Sequence, residues 1–281
     1  MAQSPAVVLS IAGFDPSSGA GVTADIKTIA AHGCYGLSCI TALTVQSTAG
    51  VRRVEAVSPE LVSDTLDELD SDIAIAAVHI GMLGSGQIVQ VVGDFLAKAG
   101  LPNIVLDPIM KSSSGADLID PGGARLLIER LLPLATVVTP NLNEAAALTA
   151  LPVTNLEQMR AASTKLHSMG AASVVVTGGH LEKAIDLLSF MSSRGVQQEV
   201  FKSGRQESNS THGTGCAFAT AISCHLARGR GLPEAVLLAK AYVAAAIANA
   251  HPLGHGVGPV HHLYRMHQQK RVVINDPEPV N

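Results

Sequence analysis

Short apolar runs, too brief to be helices, recur along this chain, and each gives way to a segment with helical spacing. Ala6–Ala12, Ser38–Val45, Ala77–Gly81, Asn103–Asp107, Thr136–Thr139 and Ala172–Thr177 are such runs. A strand covered on one face alternates apolar with polar residues, whereas a strand covered on both is apolar nearly throughout. The pattern therefore predicts a three-layer α/β/α sandwich with a mostly parallel central sheet. Helices are expected over about Gly21–Ala31, after Ser58-Pro59-Glu60, where a serine N-cap precedes a proline at the first helical position, and over Ala161–Met169, closing at Gly170. After Gly178-Gly179 the texture changes. Ala184–Met191 and Gln197–Lys202 flank Ser192-Ser193-Arg194-Gly195 and predict a small β-hairpin, while alanine-rich Thr214–Arg228 and Pro233–Ala250 predict two helices closing one side, able to support a dimer.

With 281 residues, 47% of them apolar and 15% charged, the chain can bury a substantial core. No linker divides it, so residues 1–270 are expected to form a single domain and 271–281 a flexible tail. The formal charge of −4, with Lys and Arg scattered, gives no electrostatic footprint for nucleic acid. Four cysteines without a C-x-x-C pair point away from zinc or a disulfide framework and toward a reducing cytoplasm. Without a basic leader or a long apolar window, the chain is expected to be neither exported nor membrane-spanning. Its partners are expected to be small molecules.

Two glycine-rich junctions carry the chemistry. Ser210-Thr211-His212-Gly213-Thr214-Gly215-Cys216 joins two glycines and a thiol to the start of a long apolar helix. Glycines let backbone N–H groups turn toward one point, and the helix start adds the positive end of its dipole, which predicts an anion hole at Gly213 and Gly215. Cys216 falls in the first helical turn, where the dipole is expected to lower its pKa and let it take a proton. Read alone, the stretch is equally a glycine loop entering a helix, with Cys216 as a small core residue. The other junction, Ala12 to Gly21, places three glycines and an acid after the first strand, at the edge where open α/β sheets bind ligands. It lacks the G-x-G-x-x-G spacing, and no G-x-x-x-x-G-K-[ST] occurs, which excludes the Rossmann and Walker readings.

Asp25 lies one turn into the first helix and either projects back toward this edge or is a solvated helix acid. Gln46 ends a strand with an amide that donates and accepts at once, as a nitrogen heterocycle requires. Asp107 ends another strand, and Asn141 and Glu144 follow a third. Oxygen ligands beside an anion hole are what a magnesium–phosphate site needs.

Taken in order, these pieces resemble the ribokinase-like superfamily, specifically its hydroxymethylpyrimidine and phosphomethylpyrimidine kinase branch of thiamine biosynthesis. The resemblance runs from Ala12 to His262. It is carried by AGFDPSSGAGVTADIKT (Ala12–Thr28), GLSCITALTVQST (Gly36–Thr48), HIGML (His79–Leu83), LDPIM (Leu106–Met110), TPNLNEAAAL (Thr139–Leu148), GGHL (Gly178–Leu181), STHGTGCAFATAI (Ser210–Ile222) and GHGVGPVHH (Gly254–His262). It implies ATP-dependent phosphorylation of 4-amino-5-hydroxymethyl-2-methylpyrimidine and then of its monophosphate, with Mg2+, by a cytoplasmic homodimer. Asp25 and Gln46 would bind the pyrimidine, with Gly13, Ala20 and Met82 as walls. Cys216 would be the base, with Gly213 and Gly215 at the anion hole. Asn141, Glu144 and Asp107 would serve the metal. Thr177, Gly179, Thr214 and His212 would lie on the nucleotide side, as would the loop around His255, with a capping or supporting role equally open to His212.

The chain departs from the family pattern at Phe14, where serine is common, at Thr177, where lysine often precedes the Gly-Gly-His stretch, and around Lys111–Ser114. The missing lysine removes one positive contact to ATP. Two other readings remain open at this point: a pyridoxal or pyridoxine kinase, which shares the G-T-G-C loop, and a non-catalytic metabolite-binding protein on the same scaffold.

Overall fold

The apolar runs become the middle of one sheet. The computed structural model describes residues 4–112, 115–179, 184–204 and 208–266; the expected tail at 271–281, Ser113, Ser114 and Leu181 lie outside them. Among the described residues the sheet has nine strands: β1 (Val7–Phe14), β2 (Tyr35–Ser47), β3 (Gly50–Ala56), β4 (Ala77–Ile80), β5 (Ile104–Leu106), β6 (Val137–Val138), β7 (Ser173–Gly178), β8 (Ala184–Ser192) and β9 (Gly195–Ser203). Their order is β3-β2-β1-β4-β5-β6-β7-β8-β9. The run from β2 to β7 is parallel, and only the flanking pairs are antiparallel. The hairpin predicted at Ala184–Lys202 is present as β8 and β9, but β8 pairs with β7 from Ser173 to Gly178, so the hairpin extends the main sheet.

Alternate residues of the central strands enter opposite cores, which is why these strands read as continuous apolar runs. Leu106, Val138, Val174 and Val176 pack on one face against α2 (Pro59–Asp72), α3 (Gly86–Ala99), α5 (Leu142–Thr149) and α6 (Leu156–Ser168). Val105, Val137 and Val175 pack on the other against α7 (Thr214–Ala227) and α8 (Leu232–Ala248). Val8, Ala77 and Cys224 of α7 extend that second face to Ile29 of α1 (Gly21–Ala31). The expected three layers are thus present. Because α7 is buried from Cys216 to Leu226, it is interior and offers no face to a partner.

Local signals set the helix ends. Ser58 accepts a hydrogen bond from the Leu61 amide at 3.2 Å, with Pro59 opening α2 as predicted. α6 begins five residues before the predicted Ala161, where the Asn155 side chain accepts from the Gln158 amide at 3.0 Å. Pro121–Leu126 forms α4, whose chain continues through a π turn and a 3-10 turn to Leu134. Parallel strands send all their carboxyl ends to one edge, and the direction of strand succession reverses between β1 and β4. Ligands of open α/β sheets bind outside that reversal. Gln46, Met82, Asp107, Asn141 and Thr177 all stand at or just beyond strand ends on this edge.

Candidate active site

The site begins where two loops from opposite ends of the chain touch. Gly213, the residue before α7, has φ of +78°, and a Cβ there would lie 1.7 Å from the Gly19 carbonyl oxygen. Only glycine permits both that backbone angle and that approach. Gly19 in turn faces the His212 ring, which a Cβ would meet at 2.2 Å. The first loop is held by Asp15. Its Oδ1 accepts from the Ser17 amide at 2.8 Å and the Ser17 hydroxyl at 2.7 Å, and its Oδ2 accepts from the Ala20 amide at 2.9 Å. α7 has no side-chain cap. Its first turn therefore keeps the positive end of the helix facing this edge. Thr214 bonds through its hydroxyl to the Thr211 carbonyl, and Gly215 is exposed.

Behind the loops lies a buried acidic cluster. Cys216 is 8% exposed, and the Gly21 amide bonds to its sulfur. A Cβ on Gly215 would stand 3.7 Å from Asp107 Oδ2, which places that carboxylate beside the start of α7. Burial, then the charges of Asp107 and Asp25, push the Cys216 thiol well above its usual value, although the Gly21 amide opposes them. The expected lowering by the helix dipole is therefore overridden: in the free protein Cys216 is a neutral thiol. Burial, together with Glu144 and Asp25, also drives Asp107 upward. Burial raises Glu144 to about 7, against hydrogen bonds from Asn141.

Asn141 and Glu144 form a capping box at the start of α5. Asn141 Oδ1 accepts from the Glu144 amide at 3.0 Å, and Glu144 Oε2 accepts from the Asn141 amide at 2.9 Å. Among the described residues no group of three or more His, Cys, Asp or Glu side chains is arranged to hold a metal. The pair Asp107 and Glu144, however, raises its own proton affinity for want of positive charge, which suits a cation that keeps its waters and takes phosphate oxygens. Mg2+ is such a cation.

Asp25 is not the solvated helix acid that one of its two readings allowed. It is fully buried, its oxygens accepting from Ser10 at 2.7 Å and Thr220 at 2.8 Å, with His79 Nε2 at 3.5 Å. Both of its oxygens are thus engaged by protein hydroxyls beneath the loops. His212 takes the supporting place that its reading also allowed. Its Nε2 lies 2.8 Å from Asp15 Oδ2 and 3.3 Å from the Gln46 amide nitrogen, which groups it with the first loop. The Gly254–Gly256 stretch follows it: Gly256 bonds to Thr48 Oγ1 at 3.2 Å and Val257 to the Thr48 carbonyl at 3.0 Å, beside Gln46.

Gly13 and Met82 are in contact across this edge. A Cβ on Gly13 would come within 2.9 Å of Met82 Cε, and Ala20 closes the same loop. Thr177 is bridged to Asn141, its amide bonding the Pro140 carbonyl at 2.9 Å, and a Cβ on Gly179 would meet nothing within 4 Å. Sequence reading missed the anchor of this corner. Asp186 accepts from the Gly178 amide at 3.1 Å and pairs with Lys240 at 2.5 Å, both side chains nearly buried. It also left Asp15 without a role, although Asp-Pro-Ser-Ser is a side-chain-to-backbone turn signal. Thr220, one helical turn beyond Cys216, was missed too, since Ser223 and His225 are equally polar in the same helix.

The family model for phosphomethylpyrimidine kinase matches residues 15–261. The chain belongs to the phosphomethylpyrimidine kinase family. A hydroxymethylpyrimidine/phosphomethylpyrimidine kinase of Rhizobium meliloti is 45% identical, with 92% of this chain and 98% of that one covered. A thiamine biosynthesis bifunctional protein of Geobacter sulfurreducens is also 45% identical over 91% of this chain, which spans 52% of that longer protein. Among solved structures, a Bacillus subtilis pyridoxal kinase in complex with ADP gives a TM-score of 0.84 at 34% identity, covering 94% of this chain and 100% of that one. A phosphomethylpyrimidine kinase of Clostridium difficile gives 0.76 at 36%, covering 86% and 99%. Backbone likeness thus does not separate the pyrimidine from the pyridoxal members.

Proposed function

We propose that this kinase transfers the γ-phosphoryl group of ATP to the hydroxymethyl group of 4-amino-5-hydroxymethyl-2-methylpyrimidine, and then phosphorylates the resulting monophosphate, in thiamine biosynthesis. One observation carries the mechanism: a buried thiol at an uncapped helix start, flanked by glycines and facing the carboxylates of Asp107 and Glu144. Phosphoryl transfer gains most from positioning and from stabilising charge on the transferring group. Gly213 and Gly215 at the start of α7 present backbone to that group. Gln46, with Gly13, Ala20 and Met82, holds the pyrimidine. Thr177, Gly179 and Thr214 border the nucleotide, beside Asn141.

Asp107 and Glu144 would hold Mg2+, which would supply positive charge to the phosphates. Asn141 holds Glu144 in place through the capping box. To serve as base at the first transfer Cys216 must first lose its own proton to solvent; a cation at Asp107 and Glu144 would ease that loss by offsetting two of the charges that raise the thiol, while burial, the first cause, remains. The second acceptor is already an anionic phosphate and needs no base. Cys216→Ala should therefore impair phosphorylation of the alcohol far more than that of the monophosphate, as read by product mass with each substrate and with pyridoxal in parallel. Equal losses in the two steps would refute the base assignment, and turnover of pyridoxal alone would favour the vitamin B6 reading.

The enzyme is further proposed to act as a homodimer in the cytoplasm. β2 leaves Ile40, Leu43 and Val45 exposed, an apolar surface suited to a second copy. Sedimentation at micromolar concentration tests it. No helix among the described residues is long and apolar enough to cross a membrane.

A further inference from the structure

The hydrogen-bond network around His212 constrains Gln46 more tightly than either residue does alone. Asp15 accepts from Ser17 and Ala20 and lies 2.8 Å from His212 Nε2. Burial works against its charge, but hydrogen bonds from His212 and Ser17 outweigh it and hold the carboxyl below the usual range. An ionised carboxylate only accepts, so Nε2 must carry the hydrogen. The same Nε2 faces the Gln46 amide nitrogen at 3.3 Å. With its one hydrogen given to Asp15, Nε2 has no lone pair to accept from the Gln46 N–H, so that contact is unfavourable.

Turning the amide by half a rotation resolves the conflict. The carbonyl oxygen of Gln46 then shares the Nε2 hydrogen with Asp15 as the more distant acceptor of a three-centre bond, and its NH2 meets the Thr44 hydroxyl, which lies 3.1 Å away and still donates to the Phe14 carbonyl at 3.0 Å. Every donor now has an acceptor. We infer that Asp15 and His212 are positioning residues that lock the Gln46 amide in one orientation, so that it selects a heterocycle edge with an amine donor beside a ring-nitrogen acceptor. The remaining lone pair of the carbonyl accepts from the amine, and the remaining N–H donates to the ring nitrogen. An analogue with an oxo group in place of the amine presents acceptor to acceptor, and an amide that cannot turn cannot adapt. A site built to bond one edge discriminates strongly against its reversed counterpart.

This inference rests on the proposed pyrimidine substrate but has a readout independent of it. Nitrogen-15 NMR of the free enzyme should show His212 with a hydrogen on Nε2; hydrogen on Nδ1 alone would overturn the inference. In kinetics, the ratio of kcat/KM for the 4-amino substrate over its 4-oxo analogue should fall by at least about tenfold in His212→Leu, through the pyrimidine KM, with the KM for ATP unchanged. His212→Gln, which restores an N–H, should recover the ratio. A ratio unchanged in His212→Leu would also overturn it. If the wild-type enzyme phosphorylates neither pyrimidine, the substrate reading fails, and the NMR result alone decides the orientation.

Discussion

Gly213 and Gly19 are in such close contact that a single methyl group on Gly213 would overlap the Gly19 carbonyl oxygen, at 1.7 Å. Gly215, two residues on, would carry the same methyl in ordinary contact, 3.7 Å from Asp107 Oδ2. Gly213→Ala should therefore separate the two loops and lower kcat/KM by about a hundredfold or more, because misplacement of this order has that effect on transfer reactions. Gly215→Ala should fold normally and act chiefly on ATP binding. Steady-state kinetics with thermal melts check both; a Gly213→Ala enzyme with full activity would show that the loops need not touch.

Glu144 predicts a pH signature of the free enzyme. Its folded value of about 7 stands above the ordinary 4.5, so the folded state keeps the proton longer than the unfolded chain does. Stability should then fall as pH rises from about 4.5 through about 7 and level off beyond, by on the order of 3 kcal/mol for this group. Glu144→Gln keeps a capping-box side chain but has no charge to bury. It should flatten that slope in urea titrations at pH 5, 6, 7 and 8, and Mg2+ with nucleotide should stabilise the wild type more at pH 8 than at pH 5. Identical slopes in variant and wild type would remove Glu144 as the source.

The Asp186–Lys240 pair is nearly buried, at 9% and 11% side-chain exposure. Removing one partner strands the other charge, so Lys240→Met should destabilise the enzyme by roughly 3 kcal/mol. Adding Asp186→Asn should restore part of that loss, since the uncompensated charge is gone while the bond to Gly178 can persist. Chemical denaturation of the three proteins measures the coupling; strictly additive losses would mean that the pair does not interact.

How much of this was legible depended on whether the information was local. β1, β4, β5 and β7 were readable because both faces of each are covered, so nearly every residue is apolar. β3 was not: Gly50–Ala56 lies on an edge, with Arg52, Arg53 and Glu55 in solvent, and nothing in its composition separates it from a loop. The strand-end positions of Gln46, Met82, Asp107 and Asn141 followed from the strands themselves. Side-chain direction did not. Asp25 was placed correctly one turn into α1, but its partners are Ser10 on β1 and Thr220 near the other end of the chain. Long-range pairing likewise moved His212 toward Gln46, 166 residues earlier. The Cys216 pKa was misjudged for the same reason, because a dipole in its own helix is a local signal and the carboxylates that override it are remote.

The contact between the first loop and the α7 loop also has a consequence during synthesis. A chain still growing at the ribosome carries Gln46, Met82, Asp107 and Glu144 long before it carries Gly213 and Cys216. Until α7 emerges and seats under β1, those residues border an edge with no anion-binding floor and no thiol. Products that stop short of α7 should thus be inert toward ATP, with competence for transfer arriving in one event, as α7 joins the sheet.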